Sequence, residues 1–305
     1  MPKLVSICIP TYGRVEILKN SIESIFNSNV SSELYEICIS DNSPTDETKD
    51  MLEHFFSGKT NIVYRKSTCE GFYNSIEALK LGSGLFLKLH NNYTMVNDRF
   101  EEFLNSVRCY DGKEAVLFFT FGSMKSNNLK MEYDSFDQFM YGINYLSTWS
   151  TSFGIWKCDF DRLISKVQVD KMFPHTSLLF KLTDKKIYIV DDGMYFENQT
   201  LNKKGGYNLP ETFGVRFLGM CKKLLDEECI SKKTYDKIKL EIFNFISEWF
   251  SNVKKYPQKY SFSFEKWEEI ISSLYGKRAV YKIRWNCFYR SVRTKISSIV
   301  NIFHH

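Results

Sequence analysis

The chain has 305 residues, with 41 Lys and Arg, 36 Asp and Glu, and a hydrophobic fraction of 43%. This length suits one sizeable α/β core with an appended subdomain, because single cores stop growing near about 250 to 300 residues. No stretch approaches the ~20 apolar residues of a membrane span, and no signal-peptide pattern opens the chain, so we expect a cytoplasmic protein. The eight cysteines form no C-x-x-C pair, which argues against a zinc site or a disulfide framework.

The first 190 residues alternate apolar strands with helical patterns. Residues 4–9 predict a strand, and residues 14–27 carry apolar positions at helical spacing. Further strands are predicted at 35–40, 61–64, 85–89, 115–121 and 186–190, with helices at 45–56, 67–81, 99–108 and 176–182. This alternation implies an α/β fold with a mostly parallel sheet and helices on both faces. Residues 122–160 are rich in Ser, Asn and aromatics, which favours long loops over a site.

The region after residue 205 is predicted to be helical. Helical patterns cover 211–226, 231–254, 264–274 and 278–303. We therefore divide the chain into an α/β domain at 1–205 and a helical C-terminal region at 206–305.

The last helical pattern is amphipathic and basic. Its apolar residues recur every three or four positions, and seven Lys and Arg but no carboxylate lie between residue 277 and the end. The apolar stripe consists of Tyr281, Trp285, Phe288, Val292, Ile296, Ile299 and Phe303. Such a helix at 278–303 predicts peripheral attachment to an anionic membrane surface. The alternative is docking onto the preceding helices or a partner subunit. No motif that enters a nucleic-acid groove accompanies the basic residues.

Polar residues follow each of the first four strands. They are Thr11, Tyr12 and Arg14; Asp41 and Asn42; Arg65 and Lys66; and His90, Asn91 and Asn92. Because ligands of open α/β sheets bind beyond the carboxyl ends of the strands, we expect these groups to converge. A carboxylate can accept a hydrogen bond from a nucleobase, and cations can hold phosphate oxygens.

Two of these segments resemble glycosyltransferase family 2. They are Val-Ser-Ile-Cys-Ile-Pro-Thr-Tyr-Gly-Arg at 5–14 and Glu-Ile-Cys-Ile-Ser-Asp-Asn-Ser-Pro-Thr-Asp at 36–46, with Asn74 and Gly82 before the fourth strand. The resemblance covers roughly the first 200 residues and is strongest to transferases of capsular polysaccharide and O-antigen, the abequosyltransferase-like group among them. It implies a GT-A fold, a nucleotide-diphosphate sugar donor, most simply uridine-based, and transfer with inversion.

The same resemblance assigns the donor site. Pro10, Thr11 and Arg14 would border the nucleotide and Asp41 would bind the base, while Tyr12, Asn42, Lys66 and Asn74 complete the site with residues 90–92. Two structural alternatives stay open. Asp41 could simply form a turn that caps the next helix, and Asn91 and Asn92 could be turn residues that never touch the donor.

The chain departs from the family pattern at two functional positions. Family members carry Asp-x-Asp after the fourth strand to hold Mn2+ or Mg2+, but this chain has His90-Asn91-Asn92, with Asn92 at the ligand position. Neutral amides hold a hard dication weakly, although His90 could contribute one nitrogen ligand. Either the metal is held loosely, chiefly by the diphosphate itself, or Arg65, Lys66 or Lys88 replace its charge, so we expect a weak or dispensable metal.

The second departure concerns the catalytic base. The family's base is the Asp of a Glu-Asp pair opening a helix, and His175 stands at that position. An imidazole with a pKa near ~6.5 can accept a proton from an acceptor hydroxyl. Asp170 and Asp192 are substitutes, and His175 could alternatively be a helix-terminal residue with a satisfied hydrogen bond.

Aromatic residues between 133 and 160 suggest a sugar-stacking floor for the acceptor. Tyr141, Tyr145, Trp149 and Trp156 are the candidates, and a place in the core is the alternative for each. Together these features predict an inverting glycosyltransferase that acts on a lipid-linked glycan at the inner face of the cell membrane. A non-catalytic nucleotide-sugar-binding or scaffold subunit is the rival, motivated by the missing Asp-x-Asp. A dinucleotide-dependent enzyme is disfavoured because no Gly-rich loop follows the first strand.

Overall fold

The computed structural model describes residues 2–124, 128–201 and 203–302, with side chains described up to residue 290. The chain divides after Thr200 into two compact units. The sequence prediction placed this division at residue 205.

The first unit consists of short strands and helices in alternation. In chain order they are β1 (Val5–Thr11), α1 (Val15–Phe26), β2 (Tyr35–Asp41), α2 (Glu47–Phe56), β3 (Ile62–Lys66), α3 (Asn74–Leu81), β4 (Phe86–Leu89), β5 (Thr94–Val96), α4 (Phe100–Cys109), β6 (Ala115–Phe119), β7 (Lys130–Tyr133), α5 (Phe136–Ile143), β8 (Gly154–Trp156), α6 (Lys157–Leu163), α7 (Pro174–Leu179), β9 (Ile187–Asp191) and β10 (Phe196–Asn198). Short 3-10 helices occupy Gly71–Tyr73, Asn144–Thr148 and Ser150–Ser152.

The main sheet has five strands in the order β3-β2-β1-β4-β8. Its first four strands are parallel, and only β8 runs antiparallel, beside β4. Strands β1 and β2 are buried almost throughout, as expected for parallel strands with both faces covered, and their central residues are apolar. The predicted α/β fold with a mostly parallel sheet is therefore confirmed.

A second sheet was not predicted. It joins β6, β9 and β7 in that order, with β6 and β9 parallel and β7 antiparallel. The prediction of long loops at 122–160 was wrong, because this region contains β7, α5, β8 and α6. Its aromatic residues build a core of their own, in which the rings of Phe139 and Tyr188 stack with centroids 5.2 Å apart. Aromatic content that looked like a binding surface is thus largely structural.

A buried carboxylate fixes the turn that leads into β4. Glu36 accepts hydrogen bonds from Ser6 Oγ at 2.6 Å, Ser83 N at 2.6 Å and Gly84 N at 3.1 Å. A Cβ atom at residue 84 would lie 2.9 Å from Ser6 Oγ, so only glycine fits there. Burial by itself raises the pKa of Glu36, but these hydrogen bonds outweigh it and lower the pKa below its usual range.

Replacing Glu36 with glutamine is expected to lower the free energy of unfolding at pH 7 by about 1 to 3 kcal/mol. Because the folded-state pKa is lowered, the stabilisation is present above the unfolded pKa of ~4.3 and is lost as the pH falls through the folded pKa. Urea unfolding at pH 7 and pH 4 measures both effects. Glu33→Gln, at an exposed side chain in the same segment, is the matched control. Equal losses at both pH values would contradict the assignment.

The second unit is mainly helical. It contains β11 (Lys204–Asn208), a π-helical turn at Pro210–Phe217, α8 (Leu218–Asp226), α9 (Lys232–Lys255), β12 (Tyr260–Ser263), α10 (Trp267–Tyr275) and α11 (Lys277–Ile302). The four predicted helices correspond to the π-helical turn with α8, and to α9, α10 and α11. The parallel pairing of β11 with β12 was not foreseen, and it places residues 204 and 205 with the helices. Among the described residues, no helix combines the length and the apolar character needed to cross a membrane.

Candidate functional site

The carboxyl ends of the central strands meet at one edge of the main sheet. Thr11 at the end of β1 pairs in register with Asp41 at the end of β2, which pairs with Lys66 at the end of β3. Beyond the strands, Asn42 N still donates to Thr11 O at 3.1 Å. Parallel strands that end in register bring the residues that follow them into one neighbourhood.

Asn74, the first residue of α3, connects the loops after β1 and β2. Its Nδ2 lies 3.2 Å from Thr11 O, 2.8 Å from Ser40 O and 3.0 Å from Asn42 Oδ1. Its Oδ1 accepts from Ser40 Oγ at 2.7 Å. The side chain is buried, so Asn74 holds the site together from behind.

The loop after β4 joins the same network. Asn92 Nδ2 donates to Thr11 Oγ1 at 3.0 Å, and Asn91 Oδ1 accepts from Ser150 Oγ at 2.7 Å. Asn92 is buried and Asn91 half-buried. The predicted residues after β1, β2 and β4 therefore converge, and the turn at Ser150, which the sequence did not single out, closes the group.

Asp41 lies fully buried at the centre of this edge. Its Oδ1 accepts from Ser43 N at 2.9 Å and from Ser43 Oγ, and its Oδ2 accepts from Tyr64 OH at 3.1 Å and Lys66 Nζ at 3.4 Å. The contact with Ser43 is the turn that sequence reasoning kept as an alternative for Asp41. Both carboxylate oxygens thus accept from protein donors and the Asp41 side chain has no exposed surface, so contact with a nucleobase stays a prediction.

Lys66 supplies positive charge at the surface of the site. Its Nζ also lies 3.3 Å from Asp46 Oδ1. Partial burial alone lowers the pKa of Lys66, but hydrogen bonding to Asp46 and attraction to Asp41 raise it above its ordinary value, so the ammonium stays charged. Tyr64 was missed, although alternation offered a signal: residues 64 and 66 of one strand point to the same face.

The loop after β1 presents the exposed side chains. Gly13 and Arg14 both have left-handed backbone conformations, with φ of 61° and 59°. Gly13 N donates to Ser43 Oγ at 2.7 Å, which ties this turn to the Asp41 network. Tyr12 is 65% exposed, and Arg14 is exposed as well. Pro10 pairs with Ser40 inside the sheet and is half-buried. An aromatic ring and a guanidinium are therefore available to a nucleotide.

His90 does not face the site as predicted. Its ring is fully buried against Phe196, and Nε2 donates to Thr94 O at 2.7 Å. Burial and the nearby Lys88 lower the pKa of His90 to about 3, so the imidazole is neutral. His90 is buried because it ends a strand that lies inside the sheet.

Lys88 cannot replace a metal charge. It is fully buried on β4, and its Nζ donates to Leu89 O at 2.7 Å and to Thr151 O. Burial lowers the pKa of Lys88 to about 7. The ammonium is thus committed to backbone carbonyls inside the unit, and Arg14, Arg65 and Lys66 are the exposed cations at this edge.

The donor set at residues 90–92 does not fit Mn2+ or Mg2+. Both cations prefer carboxylate oxygens, whereas this segment offers a buried imidazole and two amides that are already hydrogen-bonded. Across the described side chains, no three His, Cys, Asp or Glu groups lie close enough together to hold a metal ion.

His175 is buried in the first turn of α7. Its Nε2 lies 3.0 Å from Thr148 O, and because a carbonyl only accepts, Nε2 must carry the proton. The other ring nitrogen, Nδ1, is then the basic one. Burial lowers the pKa of His175 to about 4, although the hydrogen bond to Thr148 opposes the shift. The imidazole is therefore neutral at pH 7, with Nδ1 unprotonated, although the same burial makes it a weaker base than a free imidazole.

One turn links His175 with the donor loop. Thr148 contacts His175, and Ser150, two residues later, contacts Asn91. Between them stands Trp149, which is 38% exposed. This turn is the link between the predicted base and the rest of the site.

The two substitute bases have structural contacts. Asp170 Oδ1 accepts from Met172 N at 2.8 Å and from Phe173 N at 3.0 Å, which shapes the turn before α7. Asp192 is buried and accepts from Thr120 Oγ1 at 2.6 Å. His175 remains the stronger candidate because of its neutral form and its link to Asn91.

The predicted acceptor aromatics divide into surface and core. Trp149 and Tyr141 are exposed. The prediction of Trp156 as an acceptor residue was wrong. Trp156 is buried on β8, donates from Nε1 to Ala115 O at 2.7 Å and packs on Phe86, so it offers no face to a sugar. Although β8 is an edge strand, the Trp156 side chain points towards the core, where it contacts Ala115 and Phe86.

Comparison with known proteins agrees with this geometry. Residues 6–79 match the family model of glycosyl transferase family 2. The abequosyltransferase RfbV of Salmonella typhimurium is 41% identical over 66 residues, which are 21% of this chain and 20% of that protein. The chain thus aligns with about a fifth of the length of this curated relative.

Solved structures extend the likeness to most of the chain. The structure of S. aureus TarS 1-349 in complex with UDP-GlcNAc has a TM-score of 0.61 at 13% identity, covering 89% of this chain and 81% of that chain. The complex of TarS 1-349 with UDP has a TM-score of 0.57 at 16% identity, covering 89% and 79%. The mannosyltransferase PcManGT from Pyrobaculum calidifontis, with GDP-Man and Mn2+, has a TM-score of 0.51 at 10% identity, covering 96% and 87%. At these identities the likeness establishes the fold, that of the GT-A glycosyltransferases.

Proposed function

We propose that this chain transfers a sugar from a nucleotide-diphosphate donor to a glycan, because its residues 6–79 match the family model of glycosyl transferase family 2. The observation that carries the proposal is the convergence of four residues at the carboxyl edge of the sheet: Asn74 and Asn92 both donate to Thr11, and Asp41 pairs with Thr11 in register. That edge presents Tyr12, Arg14 and Lys66 outward, a combination that suits a base, a ribose and a diphosphate.

The donor is proposed to be a UDP-sugar. Support comes from the likeness to TarS, whose structures hold UDP and UDP-GlcNAc. The acceptor is proposed to be a growing cell-surface glycan of the capsule or lipopolysaccharide type, carried on a lipid at the inner membrane face. This rests on the similarity to an abequosyltransferase over 66 residues.

The chemistry is proposed to be a single displacement with inversion at the anomeric carbon. Neutral His175 would accept the proton of the acceptor hydroxyl at Nδ1 while Nε2 stays bonded to Thr148 O. The acceptor oxygen forms a new bond to the anomeric carbon. The bond between that carbon and the diphosphate oxygen breaks, and the nucleoside diphosphate leaves with its electron pair. Trp149, exposed beside Thr148, would provide the stacking face for the acceptor sugar.

Charge neutralisation of the leaving diphosphate is assigned to protein cations. Arg14, Arg65 and Lys66 are exposed at the donor edge, and the residues at 90–92 offer no carboxylate. We therefore propose that tight binding of a divalent cation by protein side chains is not required. The rival function is a donor-binding subunit without turnover, and the observation that favours it is the lack of a carboxylate at residues 90–92.

One experiment tests the function and its rival together. We expect UDP to raise the melting temperature of the chain more than GDP does, and a UDP-sugar to be turned over. EDTA is expected to change turnover less than about tenfold, because Arg14 and Lys66 carry the charge. Thermal shift and release of UDP are measured with EDTA, Mg2+ or Mn2+. Binding without turnover under every metal condition would favour the subunit, and absence of any nucleotide effect would remove the proposal.

A further inference from the structure

Helix α11 has two apolar faces, and only one of them is covered. Val280 and Ile283 are buried, and Asn286 Nδ2 lies 3.3 Å from Ser247 Oγ of α9. At 3.6 residues per turn these positions share one side of the helix. The helix is therefore already docked within the second unit through this side.

The opposite side carries large aromatic residues that nothing covers. Tyr281, Trp285, Phe288 and Tyr289 are 58% to 68% exposed. The rings of Trp285 and Phe288 lie 6.1 Å apart, which makes them one continuous patch. We call these four residues the aromatic face. Four large exposed rings on one helix face are unusual for a surface in water and mark an interaction site. The remaining members of the predicted stripe, Val292, Ile296, Ile299 and Phe303, lie outside the residues whose side chains are described.

Cations flank the aromatic face. At 100° per residue, Lys277 and Arg284 fall on one side of it, and Arg278 and Lys282 fall towards the other. Arg284 pairs with Glu268 at 2.5 Å, but no carboxylate lies on α11 itself or after it. Residues 201–305 carry 20 Lys and Arg against 10 Asp and Glu, whereas residues 1–200 carry 21 against 26. Positive charge is thus concentrated in the unit that bears the aromatic face.

A cavity beside α11 has the same character. It measures about 300 Å³ and is lined by Asp236, Lys239, Leu240, Phe243, Tyr275, Ala279 and Lys282. The Lys282 ammonium lies 5.4 Å from the centre of the Phe243 ring, and that of Lys239 lies 5.3 Å from the centre of the Tyr275 ring. The cavity therefore combines an apolar floor with two ammonium groups and one carboxylate, that of Asp236.

We propose that the aromatic face of α11 lies on an anionic lipid bilayer, with the rings at headgroup depth and the flanking cations on lipid phosphates. Charge complementarity selects this occupant: two copies of so basic a surface would repel each other, while an anionic leaflet attracts it. Docking onto the preceding helices, the earlier alternative, uses the other face. The inference names the partner of the proposed transferase, and it can fail while transfer activity stands.

The test is cosedimentation of the full chain with two kinds of vesicle. One is phosphatidylcholine with about 30% of the anionic lipid phosphatidylglycerol, and the other is pure phosphatidylcholine. The wild type is expected to pellet with the anionic vesicles only. The double variant Trp285→Ser, Phe288→Ser is expected to partition onto the anionic vesicles about tenfold or more weakly than the wild type. The double variant Arg278→Gln, Lys282→Gln is expected to bind them more weakly at low salt, with a smaller difference from the wild type at high salt. Phe55→Ser, Val215→Ser removes two exposed apolar side chains elsewhere and serves as the matched control.

Three outcomes would overturn the inference. The first is a wild type that stays in the supernatant, and the second is an aromatic variant that binds as well as the wild type does. The third is a wild-type dimer in sedimentation velocity that the aromatic variant dissociates, since a second copy would then cover the face. The UDP thermal shift, measured on the same preparations, shows that each variant is folded and tests the transferase proposal separately.

Discussion

Replacing His175 with glutamine is expected to lower kcat by about a hundredfold to ten-thousandfold while leaving donor affinity within about threefold of the wild type. The loss has the size of a missing general base. Glutamine is chosen because its amide N–H can still donate to Thr148 O as the imidazole Nε2 does. It has no basic nitrogen with which to accept the acceptor proton. Initial rates and UDP titrations measure the two quantities.

The control and the pH profile distinguish a base from a merely structural histidine. His54→Gln, at an exposed position on α2, is expected to have no effect on kcat. Burial lowers the pKa of His175 to about 4, so the base of the free enzyme stays neutral as the pH falls. We therefore expect kcat/KM to stay level between pH 7.5 and 5.5. A decline centred near ~6.5, or near-normal rates in His175→Gln, would transfer the base role to another residue.

Replacing Asp41 with alanine is expected to weaken UDP binding by at least about tenfold and to destabilise the first unit by roughly 2 to 4 kcal/mol. The stability loss follows because Ser43 N and Tyr64 OH would lose their acceptor, and Lys66, which keeps its contact with Asp46, would lose its buried partner. The binding loss follows because those contacts fix the loop after β2 and hold Lys66 in place. Isothermal titration with UDP and urea unfolding measure the two effects.

Asp41→Asn separates the two roles. An asparagine Oδ1 can still accept from Ser43, so we expect most of the stability to return, but the negative charge beside Lys66 is gone and UDP binding stays weak. Asp46→Asn is the matched control, because Asp46 pairs with the same lysine from an exposed position. Asp41 would leave the donor site if Asp41→Asn bound UDP as tightly as the wild type does.

Together these variants examine an arrangement in which binding and catalysis share a backbone turn. Thr148, Trp149 and Ser150 connect the predicted base to Asn91 of the donor loop. A shift of this turn would move both, so transfer and donor binding are expected to be coupled through it. That coupling gives the short 3-10 segments at 144–152 a role that their sequence does not reveal.

The local sequence determined where most strands and helices lie and which polar residues follow the first four strands. Apolar runs at β1, β2 and β4 and helical spacing in α1 and α9 to α11 are periodic patterns, and periodicity is set by the geometry of each element alone. The polar residues that end these strands were also readable, because parallel strands leave their carboxyl ends at one edge. The proximity of Thr11, Asp41 and Asn92 followed from that rule.

The tertiary structure decided which side chains are accessible. Lys88, His90 and Trp156 carry groups suited to a site, yet each is buried. Lys88 and Trp156 lie on paired strands and His90 directly follows one, and strand pairing depends on residues far apart in sequence. The same holds for the region at 122–160, whose aromatics form a second core. On α11 the pattern showed an apolar stripe, but only packing against α9 revealed that Val280 and Ile283 are covered and that the aromatic face is not. Spacing along a chain fixes the direction of a side chain about its own element, whereas burial depends on what that element packs against.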